Sequence, residues 1–293
     1  MDGLLIINKP GGMTSHDVVA RVRRIVGEKS VGHLGTLDPM ATGVLPLVLG
    51  RFTRLAQFYN ESDKRYEGTI RFGWATDTYD ADGEPLGPES PVELSCDQIR
   101  AQASQFVGKL QQLPPPFSAK KVAGVPAYKL ARKGHEVELR PKEVEVKEFE
   151  ILAWDGQRAH FRASVSSGTY IRSLAHDLGQ ALGPGAHLAI LTRTAVREFT
   201  IDQSHTLDEL QRACADGRMD ELLLHPRLIL PEFPAVMVPA ESLGRLKHGA
   251  SVNLPEFTRA TMVRVFAGQR ELLAIAKRIA GTLFQPKIVL HGN

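Results

Sequence analysis

Two periods of hydrophobic and polar positions run along this chain, and its elements follow from them. Residues 3–8 are a short apolar run that stops at the turn Lys9-Pro10-Gly11-Gly12, the pattern of a buried strand. Ser15 is placed to cap a helix that sets Val18, Val19, Val22, Ile25 and Val26 on one face and ends at Gly27. Residues 32–43 show no period and read as a loop, and the apolar run 44–49 behind them reads as a strand. Residues 65–72 put Tyr66, Gly68, Ile70 and Phe72 on one side at period two. The acidic stretch after them, broken by Gly83, Pro85, Gly87, Pro88 and Pro91, reads as an exposed excursion. A helix capped by Ser95 is predicted over 95–106, whereas 108–126, with Pro114-Pro115-Pro116, is too irregular for a core element. A short helix over 127–133 precedes a strand region over 137–153, which shifts register between Val146 and Phe149. Ala159, Phe161, Ala163 and Val165 mark a further strand, and a helix runs from Tyr170 to about Ala181.

Near residue 230 the punctuation changes. Pro226, Pro231, Pro234 and Pro239 lead into short strands over 235–238, 262–266, 272–276 and 287–290, around a helix at 240–248. Close-spaced short strands suggest a small β-barrel. Two domains are therefore expected, 1–229 with a basic insertion at about 108–147, and 230–293. Helices and hairpin-connected strands interleave, so the class is α+β with a mixed, largely antiparallel central sheet.

The 293 residues are 43% hydrophobic and 24% charged, which fits a globular protein. The longest stretch without Asp, Glu, Lys or Arg is 178–192, shorter than the roughly 20 apolar residues a membrane helix needs. The amino terminus has no basic region ahead of its apolar run, which argues against a secretory leader. Cys96 and Cys214 form no CxxC pair, so neither a disulfide framework nor structural zinc is expected, and the cytoplasm is the expected compartment. The ten histidines show no HExxH spacing, and no GxxxxGK[ST] is present, so no metal and no bound nucleotide is expected. The formal charge of +3 conceals segregation: residues 76–97 hold seven acidic side chains and no basic one, and the rest of the chain carries 36 basic against 26 acidic. Such a chain can turn a positive face to a polyanion.

Chemistry concentrates in two segments. In Gly32-His33-Leu34-Gly35-Thr36-Leu37-Asp38-Pro39-Met40-Ala41-Thr42-Gly43, Pro39 restricts Asp38 to extended backbone and the glycines admit a close ligand. With an ordinary pKa of about 3.9, such a carboxylate is ionised at neutral pH and usable as a nucleophile. In Ser166-Ser167-Gly168-Thr169-Tyr170-Ile171-Arg172-Ser173-Leu174, Thr169 is placed to cap the helix and Arg172 offers a planar fork for a carboxylate or phosphate. Taken one at a time, Asp38 fits a turn former, Arg172 a surface cation, and Tyr66 and Tyr170 core aromatics.

Taken together with Asn8-Lys9-Pro10-Gly11-Gly12-Met13-Thr14-Ser15, Lys64-Arg65-Tyr66, Pro115–Lys121, Tyr128, Ala131-Arg132 and Gly134, the two segments resemble the TruB family of tRNA pseudouridine-55 synthases, in order from residue 3 to about 200. The block departs from the usual pattern at Leu34 and Met40. The resemblance implies a pseudouridine synthase fold and a smaller PUA-like RNA-binding barrel. It implies isomerisation of uridine in the tRNA T-loop without a cofactor, by a monomer needing no obligate protein partner. Asp38 would start cleavage of the N1–C1′ bond, with a C1′ adduct and a glycal route both open. Arg172 would pair with Asp38, and Tyr66 would stack on the base and take the C5 proton. Tyr170 and Leu191 would wall the pocket, His33 would touch the flipped RNA, and Lys9 with Pro10 would support the loop. Lys120, Lys121, Lys129, Arg132 and Lys133, in a segment with eight basic residues over 118–147, would contact RNA. Two alternatives stand beside this, a catalytic subunit of an RNA-guided synthase and a tRNA-binding folding factor with dispensable catalysis.

Overall fold

The computed structural model describes residues 1–115, 121–122, 125–126 and 140–290. Its chain order is β1 (Gly3–Lys9), α1 (Ser15–Val26), β2 (Val31–His33), β3 (Thr42–Leu49), a 3-10 helix (Gly50–Phe58), β4 (Lys64–Phe72), α2 (Cys96–Ser104) and β5 (Gly108–Gln112). A two-residue hairpin, β6 (Lys121–Val122) and β7 (Val125–Pro126), precedes β8 (Lys142–Trp154), β9 (Arg158–Val165), α3 (Ile171–Leu182), β10 (Ala186–Val196), β11 (Phe199–Thr200) and α4 (Leu207–Ala215). The chain then forms β12 (Ala235–Met237), α5 (Ala240–Lys247), β13 (Val252–Asn253), β14 (Met262–Ala267), β15 (Glu271–Ala280) and β16 (Leu283–Val289).

Nine strands make the main sheet, in the order β1-β3-β10-β4-β9-β8-β5, with β2 beside β3 and β11 beside β10. Among the described strands of this sheet only β3 and β10 pair in parallel, through Thr42 opposite Thr192 and Gly43 opposite Arg193. Gly43 has φ 101°, and a Cβ there would collide with the Arg193 backbone, so this close approach demands glycine. The sheet is mixed and largely antiparallel, as expected. Leu174, Ala175 and Leu178 of α3 and Ile99 of α2 pack on Ile70, Phe72, Phe161 and Val165. Val18, Val19 and Val22 of α1 and Leu207 and Leu210 of α4 pack on Leu5, Ile7, Leu45 and Leu47. Each such side chain, fully buried, contributes about 1.5–3 kcal/mol.

The C-terminal strands form a second sheet, β12-β14-β15-β16-β13, whose open order makes a half-barrel rather than a closed barrel. Phe266, Leu272, Ile275 and Ile288 share a core with Leu4, Ile6, Val44 and Val48 of the main sheet, which fastens the two sheets together.

Several sequence expectations change. The cap of α1 is Thr14, whose hydroxyl accepts from Asp17 N while Asp17 accepts from Thr14 N; Ser15 is buried and serves the neighbouring loop instead. Residues 31–33 and 42–43 are strand, so the true loop is shorter than 32–43. Residues 108–112 are strand too, the polar edge β5 paired with β8. Thr169 does not cap α3; its hydroxyl donates to Ser166 O, and Tyr170 holds the cap position. The predicted helix 127–133 lies outside the described residues. Among the described residues no helix is long and apolar enough to cross a membrane.

Candidate active site

The loop between β2 and β3 carries Asp38 and is tied down residue by residue. Arg193 of β10, with no solvent exposure, donates from Nη2 to Gly35 O at 3.1 Å, from Nη1 to Thr36 O at 2.9 Å and from Nε to Val44 O at 2.8 Å. Ser15 Oγ donates to Leu37 O at 3.0 Å and accepts from Leu37 N at 2.8 Å. Lys9, also fully buried, donates from Nζ to Pro10 O at 2.8 Å, Met13 O at 2.6 Å and Pro39 O at 3.0 Å. Pro39 O also accepts from Gly12 N at 2.9 Å. Burial pushes the Lys9 ammonium down to about 8, against the attraction of Asp38. Two buried cations thus grip the two flanks of the loop through backbone carbonyls, and Asp38 projects between them.

Asp38 meets Arg172, in the first turn of α3. Arg172 Nη2 donates to Asp38 Oδ1 at 3.2 Å, and Nε stands 2.9 Å from Oδ2. The Arg172 side chain is 6% exposed and that of Asp38 33% exposed, so a buried fork presents a reachable carboxylate. Arg172 Nη1 turns to the segment after β4, where it donates to Thr78 O at 3.1 Å and stands 3.3 Å from Asp80 Oδ2. The Asp80 side chain is only 7% exposed. Thr78 Oγ1 donates to Asp80 Oδ1 at 2.6 Å, and Asp82 N donates to it at 3.1 Å. Burial raises the Asp80 pKa, although Thr78, Arg172 and the Asp82 amide pull it down.

Tyr66, on β4 opposite Arg193 of β10, is buried in the cluster that holds Leu37, Ala41, Ile171 and Leu191. Burial raises its pKa and so keeps the phenol protonated, while the charge and hydrogen bond of Arg193 pull it down. The sequence-predicted residues therefore come together: Lys9 at the end of β1, Asp38 ahead of β3, Tyr66 and Leu191 within β4 and β10, and Arg172 in the first turn of α3. Tyr170 is half-buried at the start of α3, where its backbone N donates to Gln112 Oε1 at 2.7 Å and its carbonyl accepts from Gln112 Nε2 at 3.0 Å. His33 lies on β2 opposite Leu47, half-buried, with its pKa lowered by burial and then by Arg193. Lys120, Lys129, Arg132 and Lys133 lie outside the described residues, and of Lys121 only the strand backbone is described.

Two residues escaped the sequence reading. Asp80 sits in a segment read as an exposed excursion, yet Thr76 and Asp80 are buried. A legible sign was Gly83, where a Cβ would strike Thr78, so the turn has to be tight. Arg193 carried no sign of its own. A cavity of about 380 Å³ lies away from this cluster, lined by Asp2, Arg51, Leu223 and Leu272 among others; the Asp38 side chain is 33% exposed.

Known proteins are similar over the whole chain. Residues 23–171 match the family model for TruB family pseudouridylate synthase (N terminal domain), and residues 172–243 match that for the tRNA pseudouridylate synthase B C-terminal domain. The tRNA pseudouridine synthase B of Solibacter usitatus is 46% identical, over 99% of this chain and 100% of its own length. That of Geobacter sulfurreducens is 40% identical, over 96% and 95%. A solved H/ACA ribonucleoprotein bound to a substrate RNA containing 2′-deoxyuridine has a chain of the same fold, with TM-score 0.73, 25% identity, and coverage of 99% of this chain and 85% of that one.

Proposed function

The chain belongs to the TruB family of pseudouridylate synthases, and from that premise we propose that it converts uridine to pseudouridine at position 55, in the T-loop of tRNA. The observation that carries the reading is the Asp38–Arg172 pair, with contacts of 2.9 and 3.2 Å and one third of the carboxylate left open. In this reading the target nucleotide leaves its stack, at a cost of a few kcal/mol, and its base enters between Asp38 and Tyr66. Asp38 drives cleavage of the N1–C1′ bond; the uracil turns, C5 bonds to C1′, the C5 proton departs and N1 gains one, so atoms balance without a co-reactant. Arg172 holds the carboxylate aimed through two of its nitrogens. Tyr66 supplies the stacking wall with Tyr170 and Leu191. Its raised pKa means that the acceptor of the C5 proton is not a preformed tyrosinate. Lys9 holds the loop, and His33 stands on the strand leading into it.

RNA beyond the reacting base falls to the basic side chains over 118–147 and to the half-barrel from residue 230, assigned here as an RNA-binding domain. The reading of a stand-alone monomer is favoured over an RNA-guided subunit by sequence distance. Full-length identity is 46% to a relative named for tRNA and 25% to the H/ACA chain. The test is pseudouridine formation by the purified chain alone on an unmodified tRNA transcript. Modification confined to the T-loop is expected; none, or modification only with a guide RNA, would overturn the assignment.

A further inference from the structure

Arg172 and His176 stand one helical turn apart on α3 and reach the same short turn, residues 76–82. Arg172 holds the carbonyl of Thr78 and the carboxylate of Asp80. Between those two contacts, the ring of Tyr79 lies flat on the ring of His176, with centroids 3.7 Å apart and planes at 14°. The backbone of Tyr79 has φ 65°, a left-handed conformation unfavourable for a bulky side chain. Glycine would suit that backbone better, so what tyrosine adds is its ring. Neither ring is a fully buried core residue; both are half-buried. His176 Nδ1 is buried with no hydrogen-bond partner among the described residues, so the imidazole is held by stacking rather than by that nitrogen. The Tyr79 backbone is fixed as well, its N–H donating to Thr76 O at 3.2 Å and its carbonyl accepting from Leu188 N at 3.0 Å.

We infer that the Tyr79–His176 stack is a positioning device for the reaction, clamping the 76–82 turn so that Asp80 and the Thr78 carbonyl occupy one edge of the Arg172 guanidinium and leave the other edge to Asp38. The inference rests on the role proposed for Asp38. Tyr79 and His176 are positioning residues and touch no reacting atom. Losing either ring lets the turn relax toward ordinary backbone angles, and Arg172 then loses the contacts that fix its rotation.

The test measures single-turnover pseudouridine formation at saturating unmodified tRNA, together with RNA affinity. Tyr79→Ala and His176→Ala are expected to slow the step about tenfold while RNA affinity stays within about twofold, the mark of lost aim rather than lost binding. Tyr79→Phe and His176→Phe keep a stackable ring and stay within about twofold of the parent rate. Tyr79→Gly relieves the backbone yet still slows the step, and the double alanine variant is no slower than either single one, because one contact has been removed twice. A readout independent of turnover is the side-chain NMR signal of Arg172 Nε–H, expected to broaden in the alanine variants and not in the phenylalanine ones. Parent rates in both alanine variants, or a His176→Phe as slow as His176→Ala, would overturn the inference. Should the parent chain form no pseudouridine while the Arg172 signal still responds to Tyr79→Ala, the clamp stands and the assigned reaction falls.

Discussion

The turn that carries Asp38 and the turn that carries Asp80 meet different edges of one guanidinium, yet Asp38 keeps a third of its side chain in solvent while Asp80 keeps 7%. Around Asp38 the backbone polar groups are held by Arg193, Ser15 and Lys9, and the carboxylate itself is held by Arg172. Around Asp80 the reverse holds, since a hydroxyl and an amide cover the carboxylate as well as Arg172. A buried carboxylate with three of its roughly four acceptor sites engaged can orient its partner but is poorly placed to meet a substrate. A carboxylate with a fixed backbone and an open face can do chemistry. The contrast fits the proposal that Asp38 reacts and Asp80 supports.

The sharpest way to break that division is Asp38→Asn, which keeps the shape and removes the charge. Turnover is expected to fall below detection while tRNA affinity stays within about threefold, measured by pseudouridine assay and filter binding. Unchanged turnover of bound RNA would hand the chemistry elsewhere. Asp80→Asn is expected to be milder, about 10- to 100-fold slower, again with affinity preserved. A loss equal to that of Asp38→Asn would erase the distinction. Next comes Arg193→Met, which strips three carbonyls of their donor. A stability loss of about 3 kcal/mol by denaturant titration is expected, with a reduced rate in the fraction that remains folded.

Lys9 sharpens the comparison through pH. Its folded-state pKa of about 8 lies below the ordinary 10.5, so between those values the unfolded chain binds the extra proton. Stability from this group therefore rises with pH across that window, and the penalty of burying the charge is fully present below it. Lys9→Met is expected to lose that rise relative to the parent, read from denaturant midpoints on either side of pH 8. The smallest effect is Thr14→Ala, which removes the cap of the helix that positions Ser15. A loss of about 1 kcal/mol with near-normal turnover is expected from thermal unfolding and the same assay.

How legible all this was depends on local regularity. β1, β4 and α1 declared themselves because Leu4–Ile7, Tyr66–Phe72 and Val18–Val22 keep one period throughout. β10, at the centre of the sheet, went unnoticed, since its pairing with β4 slips between Leu188 and Ile190 and again between Arg193 and Ala195. Two bulges scramble a period of two, and a buried arginine inside a strand reads as a surface residue. β5, the polar edge GKLQQ, has too little apolar content to announce a strand. Asp38, Tyr66 and Arg172 were found because the blocks around them resemble a family, whereas Asp80 was lost among the other six acids of its segment. Burial of one carboxylate in such a run is decided by α3, about 90 residues onward.

The parallel pairing of β3 with β10 has a consequence in time. Thr42 and Gly43 wait for Thr192 and Arg193, and the carbonyls of Gly35 and Thr36 wait for the same arginine, 158 and 157 residues downstream. A chain emerging from the ribosome can pair β1 with β3 and engage Lys9 and Ser15 early, but the segment bearing Asp38 lacks its Arg193 contacts until β10 has been synthesised and inserted. The Asp38 loop thus gains its last support only when β10 arrives, and a nascent chain arrested before residue 193 is expected to form no pseudouridine however much of it has already folded.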